Sequence, residues 1–317
     1  MQENSLWIEK YRPKTFADIK GQEHIVERIK AMVKEKNISH MLFAGPPGIG
    51  KTSLIYVAAK SLYSDNYQRY VLDLNASHER GIDVIRTKIK DFAKTISFGN
   101  MHKIIILDEA DALTKDAQHA LRRTMEIYSN TTRFCLIANY PSKIIEPIQS
   151  RCAVFYFKPL EEKHIEEIIQ NIAKNENLKI SQEASNILFS LSNGDVRKVQ
   201  NILQSCASIS KNITKEIISQ ISTIATPTEI KEILNLAINK NFIKSRSLLL
   251  ETMLKQGLSG LDIIKEIQKE ILNLNTADET KALMIEKCAE IEFRLVEGSD
   301  EYIQLEALLA SFALIKK

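Results

Sequence analysis

Gly45-Pro46-Pro47-Gly48-Ile49-Gly50-Lys51-Thr52 stands between the apolar run Met41-Leu42-Phe43-Ala44 and a stretch of helical spacing that opens at Ser53. Strand, glycine-rich turn and helix in that order satisfy the pattern G-x-x-x-x-G-K-[ST] together with the context it needs. The glycines let backbone N–H groups turn inward around a phosphate, and the positive end of the helix dipole adds to them. Lys51 then reaches the β- and γ-phosphates, and the Thr52 hydroxyl holds Mg²⁺. A plain turn with an accidental lysine would need both flanks to fit by coincidence. The predicted phosphate contacts are therefore Gly45, Pro46, Pro47, Gly48, Ile49, Gly50, Lys51, Thr52 and Ser53.

Outward from this loop, short apolar runs at 70–74, 103–107, 134–138 and 154–157 alternate with amphipathic helical stretches, the pattern of an α/β parallel sheet. The run Lys103-Ile-Ile-Ile-Leu107 is apolar on both faces after its first residue and predicts the middle strand. It closes on Asp108-Glu109-Ala110-Asp111, placing two adjacent carboxylates at the carboxyl end of the sheet, where ligands of such folds bind. Asp108 is predicted to support the metal and Glu109 to polarise an attacking water. An acidic helix start is the alternative, and the phosphate loop upstream weighs against it. Asn139 follows the fourth run and would emerge at the same edge, although asparagine is equally common in turns.

After Pro159 the strand signal stops, and Ile, Leu, Glu and Lys recur at helical spacing to Lys317. Ser181 and Gly194-Asp195 read as helix starts, and a break at Thr226-Pro227-Thr228 divides the helical part. The expected domains are 1–160, 161–225 and 226–317. Arg197 falls in the first turn of a helix, where the dipole disfavours a cation; reaching a phosphate would explain that placement, and a harmless surface arginine is the alternative. A further helix starting near Asp83 has Ile82, Ile85, Ile89 and Phe92 on one side and Arg86, Lys90 and Lys94 beside them. With Arg80 and Lys88 this basic stripe has the form of a nucleic-acid backbone contact, while a solvated face explains it as well.

Composition mainly excludes. The 317 residues are 44% apolar, enough for real cores, and 43 basic against 40 acidic residues leave a net charge of +3 that by itself names no partner. Cys135, Cys152, Cys206 and Cys288 contain no C-x-x-C pair, against both a zinc module and a disulfide framework. The longest apolar stretch, Ala307–Ile315, is interrupted by Ser311 and falls well short of the roughly 20 residues that span a bilayer, so no membrane role is expected. Met1-Gln2-Glu3-Asn4-Ser5 shows neither a basic cap nor an apolar run, which predicts no targeting signal.

Together these motifs resemble the AAA+ ATPases, and five segments narrow the resemblance to the replication factor C small-subunit family. They are Trp7-Ile8-Glu9-Lys10-Tyr11-Arg12-Pro13, Asn75-Ala76-Ser77-His78-Glu79-Arg80-Gly81, Ala120-Leu121-Arg122-Arg123-Thr124-Met125-Glu126, Ser150-Arg151-Cys152 and Gly194-Asp195-Val196-Arg197-Lys198. The resemblance implies an ATP-binding domain, a small helical lid and a helical collar for oligomerisation, with ATP and Mg²⁺ as cofactors. It implies Tyr11, Arg12 and Pro13 at the adenine or ribose, Asn75 as a switch partner of Glu109, and Asn139 and Arg197 as phosphate sensors. It implies Arg151 as a residue acting in trans on a neighbour's site, and the stripe Arg80, Arg86, Lys88, Lys90 and Lys94 on DNA. One departure is His78, where the family usually has aspartate; it changes the charge near Arg80.

The activity so implied is ATP hydrolysis that opens a sliding clamp and loads it on primer-template DNA. The implied partners are a replication factor C large subunit, other copies of the small subunit, the clamp and the DNA. A branch-migration helicase or unfoldase would need a winged helix or a pore-loop aromatic, and the helical last third has no β-rich segment for the former. A non-hydrolysing structural subunit would not need Lys51, Thr52, Asp108 and Glu109 together. The expected location is the cytoplasm for an archaeal chain, which its length and lack of a nuclear-signal extension favour, and the nucleus for a eukaryotic one.

Overall fold

The computed structural model describes residues 6–78, 81–95, 101–221 and 227–315, and the chain divides into two compact units, Met1–Ile218 and Ser219–Lys317. The first unit is built on a five-stranded sheet of β1 (Met41–Ala44), β2 (Val71–Asn75), β3 (Lys103–Asp108), β4 (Thr132–Ala138) and β5 (Ala153–Tyr156). All neighbours are parallel and the order is β2-β3-β4-β1-β5. The middle strand is thus β4, not the 103–107 run as expected. Both are apolar on both faces because helices cover each side, and two-sided burial marks an interior strand without ranking it.

Register does the positioning. Ala44 pairs with Ala138, so the phosphate loop and Asn139 leave the sheet side by side, and Gly45 N donates to Ala138 O at 3.2 Å. Asn75 pairs with Asp108, bringing the ends of β2 and β3 together. The helix Lys51–Tyr63 buries Leu54, Ile55, Ala58 and Ala59, which anchors the loop that precedes it. Opposite, Lys115–Ile127 is capped by the Thr114 hydroxyl, which accepts from Ala117 N, and buries Leu121 and Met125 with Phe134 and Leu136 of β4.

The basic segment is not one α-helix. It runs Ile82–Val84 as α, Ile85–Ile89 as π and Lys90–Lys94 as α. A π turn adds a residue to the helical repeat, so the buried positions become Ile85, Ile89 and Ala93, while Phe92, expected on the core face, is only partly buried. Arg80 and the side chain of Arg86 lie outside the described residues.

Beyond Pro159 the first unit continues as Glu162–Glu176, Gln182–Ser192 and Val196–Ile209 and ends at Ile218 within the helix Lys215–Ile221. Ser181 and Asp195 cap their helices as expected, each side chain accepting from backbone N–H groups. Strand structure does not end at Pro159: Lys179–Ile180 pairs in parallel with Asn212–Ile213, two-residue strands too short to show any period. The second unit comprises Pro227–Ile238, Phe242–Gln256, Gly260–Leu272, Asp278–Val296 and Glu301–Leu314, with no strand among the described residues. Ile233, Leu234, Ile264, Ile267, Leu305, Leu309 and Phe312 form its core. The break expected at 226 falls on residues 222–226, outside those described.

Candidate nucleotide site

A cavity of about 730 Å³ opens in the first unit at the carboxyl ends of β1, β3 and β4. Pro47 through Ser53, Asp108, Glu109, Asn139 and Arg197 line it, together with Tyr11, Arg12 and Pro13. Residues as distant in sequence as Pro47 and Asn139 thus share one wall, which is what the parallel topology achieves. Its volume is ordinary for a small-molecule site.

The phosphate loop depends on backbone that side chains resist. Gly50 sits at φ 93° as the residue before the helix, and Gly48 at φ 70°. At Gly48 a Cβ would also lie 1.7 Å from the Asp195 carboxylate, because the helix Val196–Ile209 docks on the loop there, Val196 N donating to Gly48 O at 3.0 Å. The Asp195 carboxylate in turn accepts from Arg197 N at 2.8 Å and Lys198 N at 3.2 Å, an N-cap that fixes the turn carrying Arg197.

Lys51 is buried, and its ammonium donates to Gly45 O at 2.6 Å, Pro46 O at 2.5 Å and Asn139 Oδ1 at 3.0 Å. Gly45 and Pro46 thus act behind the cavity wall by holding Lys51. Burial pushes the Lys51 pKa down to about 8, only partly opposed by Asp108. A buried cation held by neutral carbonyls is poised for an anion. Beside it Thr52 Oγ1 donates to Asp108 Oδ2 at 2.9 Å, and Asp108 Oδ1 accepts from Glu109 N at 2.9 Å.

Glu109 itself has left-handed backbone, φ 53° and ψ 40°. Its carboxylate accepts a hydrogen bond from the Ser77 hydroxyl. Asn75, expected to restrain Glu109, instead uses Oδ1 to accept from Ser77 N at 2.7 Å. Asp111, quoted with the acidic pair but given no role there, accepts from Tyr140 N at 3.1 Å and so tethers the residue after Asn139. Both Ser77 and Asp111 stand inside motifs, yet spacing alone carries no signal of which neighbour each would touch.

The amino-terminal wall is fastened from outside. Tyr11 OH donates to Glu176, which also takes Lys10 Nζ at 2.6 Å, and burial, helped by this carboxylate, pushes the Tyr11 pKa up. The Arg12 guanidinium stacks 5.0 Å from the Tyr56 ring centroid. Arg151 does not line the cavity: its guanidinium pairs with Glu126 at 2.6 Å and donates to Pro147 O at 2.7 Å. Lys88, Lys90 and Lys94 are exposed and likewise stand apart from the cavity, Lys94 lying 4.0 Å from Asp91.

These residues fit a magnesium nucleotide. Among the described residues no three His, Cys, Asp or Glu side chains gather as a metal cage. One hydroxyl and one carboxylate beside a phosphate loop are instead the sparse set Mg²⁺ takes when phosphates and water complete its shell. No helix among the described residues is long and apolar enough to cross a membrane.

Residues 41–160 match the ATPase family associated with various cellular activities (AAA), and residues 225–311 match the replication factor C C-terminal domain. The chain is 50% identical to the replication factor C small subunit of Staphylothermus marinus, over 98% of this chain and 95% of that one. It is 49% identical to that of Sulfurisphaera tokodaii, over 99% and 97%, and 46% identical to one from Methanococcus maripaludis, over 98% and 99%. Among solved structures, the Thermotoga maritima RuvB Holliday junction branch migration motor superposes with a TM-score of 0.56 at 20% identity, covering 72% of this chain and 79% of its own, a likeness of fold. A phosphate loop, an Asp-Glu pair and a helical carboxyl-terminal unit, matched by relatives along nearly its whole length, show that this chain belongs to the replication factor C small-subunit family of AAA+ ATPases.

Proposed function

We propose that this chain binds and hydrolyses Mg-ATP within a clamp-loader assembly, using the energy to open a sliding clamp and place it on primer-template DNA. One observation carries the reading. Lys51, Thr52, Asp108, Glu109 and Asn139 converge on one cavity, while Arg151 stands outside it, exposed and paired with Glu126. A site that holds Arg197 but leaves Arg151 on the surface outside it fits a chain whose Arg151 serves a neighbouring copy.

Lys51 is the cation for the β- and γ-phosphates, freed by them from its carbonyl partners. Thr52 and Asp108 hold Mg²⁺, which when bound neutralises charge across those phosphates. Glu109 orients and polarises the attacking water; Asn139 and Arg197 read the terminal phosphate from the sheet and from the helix Val196–Ile209. Tyr11, Arg12 and Pro13 cover the base or ribose. The exposed lysines of the 82–94 segment, with Arg80 and Arg86, follow the DNA backbone by charge and shape without reading sequence. Residues 161–225 serve as a lid and 226–317 as a collar that joins subunits, including a replication factor C large subunit. The named relatives are archaeal, in keeping with a cytoplasmic location.

The test is the ATPase rate of the chain assembled with a large subunit and a sliding clamp, with and without primed DNA, for wild type and Arg151→Ala. DNA and clamp are expected to stimulate the wild type. Arg151→Ala should lose about 10³-fold in rate while each chain still binds nucleotide, the scale of an arginine that acts across subunits. A rate indifferent to DNA and clamp would leave an ATPase and remove the replication role.

A further inference from the structure

We infer that Gln200 reads the base of the bound nucleotide, its side-chain amide pairing with the exocyclic amine of adenine and the ring nitrogen beside it. The inference rests on the reading of the cavity as a nucleotide site and adds the group that selects the base. Gln200 stands two residues past Gly194-Asp195-Val196-Arg197-Lys198, outside every segment that carries the family resemblance. Among the described residues three glutamines are buried, Gln22, Gln118 and Gln200. Gln22 spends both ends of its amide, Nε2 donating to Lys158 O at 2.7 Å and Oε1 accepting from Lys158 N at 3.4 Å. Gln118 does the same: Nε2 donates to Leu113 O at 3.2 Å and Lys143 O at 3.0 Å, and Oε1 accepts from Ile145 N at 2.8 Å. Gln200 is only 5% exposed and lines the cavity, yet no group among the described residues pairs with its amide. Buried amides are ordinarily satisfied, because leaving one unpaired costs more than pairing it gains. An amide left open on a cavity wall is matched to what the cavity holds.

Position along the helix Val196–Ile209 decides which part of the ligand that is. Arg197, Gln200 and Gln204 follow one another at steps of three and four residues and so share one face. Arg197 opens the face in the first turn, against the phosphate loop, where Val196 N donates to Gly48 O at 3.0 Å. Gln204 closes it about two turns on. Its Oε1 accepts from Trp7 N at 2.9 Å, fastening the segment that continues into Tyr11, Arg12 and Pro13. Gln200 lies between the two, past the phosphates and toward the wall read as covering the base or ribose. The other amides on the cavity lining have their oxygens engaged, Asn139 Oδ1 by Lys51 Nζ at 3.0 Å and Asn171 Oδ1 by Asn175 Nδ2 at 3.2 Å. A carboxamide carries a donor beside an acceptor. Adenine offers the complement, an amine next to a ring nitrogen, and glutamine pairs with it in this way in nucleic acids. A purine without the amine would leave the Gln200 oxygen unpaired in a space from which the ring excludes water, and that penalty is what makes the contact selective.

The experiment measures equilibrium binding to the full chain. A fluorescent ATP analogue is displaced by ATP, by 2′-deoxy-ATP, by the triphosphate of purine riboside, which lacks the amine, and by inorganic tripolyphosphate, for wild type, Gln200→Met and Gln200→Leu. Wild type is expected to bind ATP about tenfold more tightly than purine riboside triphosphate, the scale of one hydrogen bond. Gln200→Met has the same length and no amide; it should lose that preference, binding ATP about tenfold more weakly while purine riboside triphosphate and tripolyphosphate stay within about twofold. Gln200→Leu should repeat the result with a different shape. A merely structural role would move every ligand together or none. Equal wild-type affinity for ATP and purine riboside triphosphate overturns the inference without any variant, and so does a preference that survives in Gln200→Met. A change confined to the preference for ATP over 2′-deoxy-ATP assigns the amide to the ribose and overturns the base contact. Lys51→Ala is run beside them: if it binds ATP and tripolyphosphate as wild type does, the nucleotide reading of the cavity fails first, and that failure is visible independently of Gln200.

Discussion

The two units use unusual backbone for different ends. In the first, positive φ values at Gly45, Gly48, Gly50, Glu109, Asn193 and Gly194 gather around one sheet edge and its docked helix, while those at Lys36, Ser64 and Asn177 follow helix ends and Gly21 precedes one. In the second, positive φ among the described residues occurs at Lys240, Gly257 and Gly298, each just past the end of a helix. The first unit bends its chain both to turn corners and to aim groups at a cavity; the second, among the described residues, bends it only to turn corners. Apolar surface shows the reverse. Phe293, Ile303 and Leu314 of the second unit are 65%, 66% and 81% exposed, side chains that water disfavours and a joining subunit would cover. Chemistry is concentrated in strained backbone, and the proposed assembly in side chains.

The comparison breaks most sharply at two glycines. Gly48→Ala, with a Cβ 1.7 Å from the Asp195 carboxylate at φ +70°, is expected to weaken ATP binding about 100-fold in a fluorescent-nucleotide titration. Wild-type affinity there would mean that the docked helix yields without consequence for the loop. Gly260→Ala is the control in the other unit, its Cβ 2.7 Å from that of Glu301, and should lower unfolding stability by about 1–3 kcal/mol in urea. ATP affinity of the isolated chain should not change; a fall would show that the units do not divide labour as described.

The smallest effect sharpens the role of Lys51. Its pKa, about 8 when folded against 10.5 in the unfolded chain, means that between those pH values the unfolded state holds a proton the folded state has released. Without nucleotide, stability from this group therefore rises with pH across that window. Nucleotide phosphates restore the charge, so ATP binding at pH 9 should take up a proton, seen by calorimetry in buffers of different ionisation enthalpy. Affinity should fall by up to about tenfold per pH unit above 8. A flat profile would show that Lys51 keeps its proton without an anion.

Much of this architecture was legible because it is local. β1 lies where the Met41–Ala44 run predicts, and the Asp195 cap and the Arg197 turn follow from a few adjacent residues. What was hidden depends on neighbours distant in sequence or on a shift too small to leave a period. Lys103–Leu107 looks as central as β4 because both are covered twice, and only pairing ranks them. Ile82, Ile85, Ile89 and Phe92 fit an α-helical face, so nothing announced the extra residue of the π turn that brings Ala93 into the core. Asn75 was assigned to Glu109 by resemblance, while the geometry interposes Ser77. The Glu126 partner of Arg151 lies across the surface in another motif, with no sequence signal joining the two.

The left-handed backbone at Glu109 has a consequence for anyone who would improve this protein. Holding a non-glycine residue there costs on the order of 1 kcal/mol, and glycine or asparagine would be released from most of that cost. A search for thermostable variants that scores melting alone would therefore favour replacing this glutamate. On the proposed role of Glu109, its winners would hold nucleotide and not turn it over, so robustness and turnover would pull in opposite directions at a single position.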